Sequence, residues 1–212
     1  MIEPDHLVLA TRDLDLGTAW LEQRLGVALA GGGWHSRMGT HNRLLHLGDD
    51  FYLELIAIDP QAQAPGRPRW FELDRREALP AGRPRLVHWV ARSDDILRDA
   101  AASTEALGDI LAMERGDYRW RITVPPDGHL PGNGLVPTLI QWEGPVHPAA
   151  NLPDAGCRLM KLEGFHPQPV RIRTALTGLG LASRLDLHEC AADEAPQLVA
   201  YIRTPEGLVE LD

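Results

Sequence analysis

A phrase that occurs twice constrains this chain more than any other feature: His6-Leu7-Val8-Leu9-Ala10-Thr11-Arg12-Asp13 and His88-Trp89-Val90-Ala91-Arg92-Ser93-Asp94-Asp95. Each copy opens a strand-like run with a histidine, and an aspartate follows seven residues later where a helix can start. Some fifty residues further on, each meets an apolar strand with a polar residue in its middle. These strands are Phe51-Tyr52-Leu53-Glu54-Leu55-Ile56 and Thr138-Leu139-Ile140-Gln141-Trp142. A duplicated unit, matching His6 with His88 and Glu54 with Gln141, is the simplest reading.

Alternation over 5–11 puts His6, Val8 and Ala10 on one strand face and Leu7 and Leu9 on the other. Asp13 or Asp15 caps a helix whose Leu16, Ala19, Trp20 and Leu25 have near-helical spacing, and Gly26 stops it. Gly31-Gly32-Gly33 reads as a turn, 34–38 and 42–47 as short strands, and 51–58 as a closing strand. The order β-α-β-β-β repeats as strand 86–92, a helix from about 95 to 107, and strands near 110–114, 118–124 and 136–142. Between the units, 59–84 is a proline- and arginine-rich connection whose Trp70-Phe71-Glu72-Leu73 is expected to pack its aromatics on the body. The remainder reads as a third, incomplete copy: strand 157–163, helix 169–180, strands 184–190 and 197–203, and Gly207-Leu208-Val209-Glu210-Leu211. It carries Met160 and Lys161 where the earlier copies have histidine, which suits completing or covering the sheet.

The formal charge of -9 and the lack of any Lys/Arg-rich run argue against a nucleic-acid partner, because phosphate neutralisation needs clustered positive charge. Nothing resembles a signal peptide or a membrane-spanning run, so a soluble, cytoplasmic protein with no membrane partner is expected. Cys157 and Cys190 form no CxxC pattern and are expected to be reduced and structural.

Two histidines and one carboxylate make a ligand set that leaves coordination positions open on Fe, Mn, Ni, Co or Zn. His6, His88 and Glu54 supply such a set, with Gln141 as a fourth ligand through its side-chain oxygen. Each histidine serves equally well as a hydrogen-bonded core residue. Glu54 is harder to leave unpaired, since it shares its face with Tyr52 and Ile56, and a buried lone carboxylate costs several kcal/mol. Substrate contacts are expected from His41 and Asn42 in Thr40-His41-Asn42-Arg43, and from Arg119, Trp120 and Arg121, with Trp142 nearby. Alternation sets Arg119 and Arg121 on one face and Tyr118 and Trp120 on the other, and one of those faces looks into a cleft. No G-x-S-x-G elbow, P-loop or H-E-x-x-H is present.

Asp5-His6-Leu7-Val8-Leu9, Gly39-Thr40-His41-Asn42-Arg43, Tyr52-Leu53-Glu54-Leu55-Ile56 and Pro137-Thr138-Leu139-Ile140-Gln141-Trp142 resemble the glyoxalase-like domain proteins of the vicinal oxygen chelate superfamily. The resemblance implies an α+β fold in which paired β-α-β-β-β modules form curved mixed sheets around a cleft. With a C-terminal half-module, these make a single domain over 1–212, with modules at about 1–58, 85–144 and 156–212. It implies a divalent-metal-dependent lyase, isomerase or dioxygenase acting on a small oxygenated metabolite. His6, Glu54, His88 and Gln141 would hold the ion, and Glu54 or His41 would act as base. The alternative is a metal-free protein of bleomycin-resistance type that sequesters a small molecule among Trp89, Trp120 and Trp142. A homodimer that exchanges modules is geometrically natural for this architecture.

Overall fold

The two copies of the repeated phrase become the centre of one sheet. The computed structural model describes residues 1–48, 50–78 (76–78 by backbone only), 82–144 and 147–212. Strand β1 (Ile2–Ala10) pairs antiparallel with β5 (Arg85–Ser93), Leu7 opposite Trp89. Each has a parallel neighbour, β4 (Phe51–Ile58) beside β1 and β8 (Thr138–Glu143) beside β5. Outside them lie β3 (Thr40–Gly48) and β2 (Ala30–His35) on one side, β7 (Tyr118–Val124) and β6 (Asp109–Arg115) on the other. The order β2-β3-β4-β1-β5-β8-β7-β6 is symmetric about the β1/β5 seam, as a duplicated module requires.

This sheet curls until its two edges meet. Arg37, in the β2–β3 turn, donates to the Ala112 carbonyl of β6 at 2.6 Å. Strand alternation gives the curved sheet two apolar faces. Leu7, Leu9, Leu53, Leu55, Trp89 and Leu139 belong to the convex core, and Val8, Ala10, Ile56, Val90, Ile122 and Ile140 to the concave one. The connector crosses the concave side as a short 3-10 segment, Trp70–Ala78, and buries Trp70, Phe71 and Leu73 there as expected. Its position is pinned where Glu72 N–H donates to Gly128 O at 2.9 Å. Gly128 is required at that crossing, because a Cβ on it would lie 2.1 Å from the Arg69 carbonyl oxygen.

Helix α1 (Leu14–Leu25) starts where Asp13 accepts from Leu16 N–H at 2.9 Å and ends at Gly26 with φ of 70°. Its buried stripe is Leu14, Gly17, Leu21 and Leu25, which leaves Leu16 53% exposed, contrary to the sequence expectation. Helix α2 (Ile96–Ala102) is shorter than expected, because Ser103 turns extended and Leu107 enters the convex core from the chain that leads into β6. The glycine run 31–33 is also not a turn. It lies inside β2, where the β2–β3 register shifts between Gly31 and Trp34.

The last unit has β9 (Arg158–His166), α3 (Pro169–Gly178), β10 (Asp186–Glu189), β11 (Gln197–Thr204) and β12 (Gly207–Leu211). Its element order is that of a full module, but its strand order, β10-β9-β11-β12, is different. Rather than an incomplete copy, it is a second sheet whose Leu162, Leu198, Ala200 and Ile202, with Ile172 and Leu176 of α3, complete the convex core. Among the described residues no helix is long and apolar enough to cross a membrane.

Candidate active site

On the concave side of the first module, β1, β2 and β4 bring His6, His35 and Glu54 to one buried chamber walled by Tyr52, Trp70 and Trp120. The chamber has about 20 Å³ of free volume, room for one small group. Glu54 Oε1 accepts from Asn42 Nδ2 at 2.5 Å and lies 3.9 Å from His35 Nε2. Its other oxygen, Oε2, lies 3.6 Å from His6 Nε2. Among the described residues, Oε2 has no hydrogen-bond donor within reach.

His6 is aimed by Asp5, which breaks the strand alternation. The β1–β5 register shifts between Pro4 and His6, so Asp5 occupies a bulge and its carboxylate turns back toward its neighbour. Fully buried, Asp5 faces His6 Nδ1 at 2.6 Å, His147 Nε2 at 2.8 Å and Trp142 Nε1 at 2.9 Å. Burial alone would raise its pKa, but the hydrogen bonds and charges of His147 and His6 outweigh burial and hold the carboxyl well below the usual range. An ionised Asp5 only accepts, so His6 donates Nδ1–H to it and presents Nε2 to Glu54. Tyr52 stacks on the His6 ring with centroids 4.6 Å apart. Its hydroxyl is raised well above the usual phenol value by burial and by the Asp5 and Glu54 charges, and stays neutral. Burial, then the Arg115, His6 and His41 charges, push His35 down to about 3, so it is a neutral imidazole at pH 7.

The glycine run makes room for Asn42. Gly33 N–H donates to Asn42 Oδ1 at 2.8 Å and Arg115 Nη1 donates to the same oxygen at 3.1 Å, which leaves the amide NH2 for Glu54. A Cβ on Gly32 would sit 2.1 Å from the Asn42 backbone oxygen and 2.2 Å from Oδ1. Gly32→Ala is therefore expected to cost about 1–3 kcal/mol as an overpacked site. Chemical denaturation checks this; a midpoint equal to the wild type would contradict it.

Of the residues expected from sequence, the chamber gathers His6, Glu54, Asn42, Trp120 and Trp142. Strand parity sends His41 to the face opposite Asn42, where its neighbours are Arg43 and Asp59. The tryptophan face of β7 looks inward, so Arg119 turns outward to Glu114, 3.7 Å away, and Arg121 to Gln141. Trp89 is sealed in the convex core, its indole N–H on the Leu135 carbonyl.

Neither His88 nor Gln141 joins His6 and Glu54. Thr138 N–H donates to His88 Nε2 at 3.0 Å, and His88 Nδ1 lies 3.0 Å from the Gly134 carbonyl, so both ring nitrogens are committed. Gln141 faces the other side of the sheet, accepting from Ile96 N–H and Arg121 and donating to the Asp94 carbonyl. Strand register explains this. Glu54 stands beside Val8 and Thr138 beside Val90, so Thr138, not Gln141, is the counterpart of Glu54. The second copy also keeps a register shift, next to Val87, where the first has Asp5. It thus retains the histidine but neither carboxylate. Among the described residues no group of three or more His, Cys, Asp or Glu is arranged to hold a metal ion. The donor set that the resemblance implies does not fit a metal ion, because His88 and Gln141 are held away from His6 and Glu54.

Sequence reasoning missed Asp5, His35, Trp70, Arg115 and His147. Trp70 is the most informative of these: it lines the chamber, is buried, and its indole N–H has no hydrogen-bond partner among the described residues. Outside the chamber, and sharing Arg115 with it, is an open cleft of about 810 Å³.

A family model described as a glyoxalase-like domain matches residues 5–180. No curated protein matches the chain significantly. Among solved structures, a hypothetical protein from Staphylococcus aureus is similar over 99% of this chain and 84% of its own, with 12% identity and a TM-score of 0.60, which shows a shared fold. Methylmalonyl-CoA epimerase from Mycobacterium tuberculosis is similar over 70% of this chain and 91% of its own, at 19% identity and a TM-score of 0.45. A Streptomyces coelicolor methylmalonyl-CoA epimerase variant in complex with 2-nitronate-propionyl-CoA is similar over 67% and 98%, at 17% identity and a TM-score of 0.45. With the family model spanning both modules and the α3 helix, the chain belongs to the glyoxalase-like domain family.

Proposed function

We propose that this protein is an acid–base enzyme that removes and returns a proton on the carbon beside the carbonyl of a small 2-oxo carboxylate. The observation that carries this reading is that one small chamber is lined by both Glu54, whose Oε2 accepts no hydrogen bond, and Trp70, whose buried Nε1 has no partner, among the described residues. Glu54 takes the proton, the C–H electron pair moves into the carbonyl, and the enolate oxygen accepts hydrogen bonds from Trp70 and the neutral His35. Asn42 Nδ2 fixes where the Glu54 carboxylate sits, and His6, held by Asp5, closes the chamber beside it. Returning the proton from Glu54 closes the cycle without oxidant or reductant. The side chains His6, Glu54 and Trp70 that line the chamber are buried, which limits bulk water at the reacting group. Arg115 at its mouth is the cation for the substrate carboxylate.

Incubating 2-oxobutanoate with the protein in D2O, and following loss of its C3 proton signal by NMR, tests this. Exchange above the buffer rate is expected, and Trp70→Phe, which keeps the ring and removes the donor, is expected to lower it about 10²-fold. No exchange, whether the protein is metal-free or supplied with Fe(II), Mn, Ni, Co or Zn, would overturn the reading. A second reading, a protein that sequesters its ligand, is favoured by the size of the outer cleft. It predicts tight binding with no exchange.

A further inference from the structure

We infer that the outer cleft holds a flat, uncharged, apolar tail, so that the preferred substrate is an aryl-tailed 2-oxo acid rather than a short one. This rests on the proton-transfer reading of the chamber. The chamber's 20 Å³ leaves no room for a tail, whereas the cleft offers about 810 Å³ immediately beyond Arg115. Arg115 donates to the Asn42 side-chain oxygen and lies 5.7 Å from the Tyr118 ring centroid. Among the described residues it has no carboxylate within 4 Å, so its charge is available to a ligand at the junction of the two spaces.

From that junction the cleft runs between surfaces suited to a planar group. Gly31, Gly32 and Gly33 present bare backbone, Trp34 is 68% exposed, and Tyr118 and Leu152 also face the cleft. A ring lying on the glycine strand would find an indole and a phenol beside it. Asp117 and Glu143 also line the cleft, both exposed, and their charge disfavours a tail that carries phosphate or a second carboxylate. One end of the ligand is thus drawn by a cation, while the other must be neutral.

Gly31 offers a clean probe. A Cβ there meets nothing within 4 Å, and its backbone is not left-handed, so Gly31→Leu fills part of the cleft without strain. Trp34→Ala removes the exposed indole instead. Calorimetric Kd and exchange KM are measured for 2-oxobutanoate, 2-oxo-4-phenylbutanoate and 2-oxoglutarate, which share the reacting C3 position. The wild type is expected to prefer the phenyl compound over 2-oxobutanoate by about tenfold or more, from buried ring area. That preference is expected to fall to within about threefold in both variants, and 2-oxoglutarate is expected to bind no tighter than 2-oxobutanoate. Equal Kd for the first two acids in the wild type, a preference untouched by both substitutions, or tighter binding of 2-oxoglutarate would overturn the inference. If all exchange with equal KM, the tail site falls and the chemistry stands. If none exchanges but the phenyl preference appears and is lost in the variants, the tail site stands and the chemistry falls.

Discussion

Glu54→Gln is expected to lower the rate of C3 proton exchange by about 10²–10⁴-fold, the range for removing a positioned general base. The amide has nearly the same shape, so the substitution isolates the proton-accepting function. KM is expected to change little, because substrate affinity rests on Arg115 and the cleft, not on Glu54. The glutamine amide keeps one oxygen to accept from Asn42 Nδ2 and sets its NH2 at the Oε2 position, so the contact to Asn42 is preserved while the base is lost. A variant that keeps wild-type kcat would show that Glu54 is not the base.

Asp5→Ala is expected to have the largest effect on stability. Three donors, His6, His147 and Trp142, converge on this one buried carboxylate, and removing it leaves them unpaired. Breaking such a buried charged cluster from one side costs about 3–5 kcal/mol. For a chain of this size each kcal/mol lowers Tm by roughly 2–4 °C, so a drop on the order of 10 °C is expected by calorimetry. A shift of less than about 2 °C on the same scale would show that the cluster contributes little. The same residue sets an acid limit. Because its folded pKa is depressed, Asp5 contributes stability that is fully present above its unfolded value, about 3.9, and is lost as pH falls through the folded value. The wild type is therefore expected to lose stability below about pH 4, and Asp5→Ala to show a flatter acid profile there.

What was legible in the sequence is what local rules control. The doubled His-to-Asp phrase marked a duplicated β-α-β-β-β unit, whose pairing through β1 and β5 the structure adds, and the Asp13 cap and Gly26 stop bound α1 as expected. The match of Glu54 to Gln141 failed because it counted along the chain. The pairing of β5 with β8 puts Thr138 at that place and gives Gln141 the opposite parity, which sends it to the outer face. The glycine run was misread for a related reason: its role is to let Asn42 pass close to β2, a tertiary contact with no local signature. Asp5 was hidden by a bulge, which breaks the alternation from which its direction was read. His35, Trp70, Arg115 and His147 come from four separate segments, and only the curl of the sheet and the path of the connector bring them to His6 and Glu54.

The most direct test is the stereochemistry of exchange. A single carboxylate on one side of the substrate takes and returns its proton on the same face, so only one of the two C3 hydrogens of 2-oxobutanoate should exchange in D2O. We expect the NMR signal to plateau at one deuterium per molecule, with the product optically active. Loss of both hydrogens at the same enzyme-dependent rate would contradict a one-base site built on Glu54.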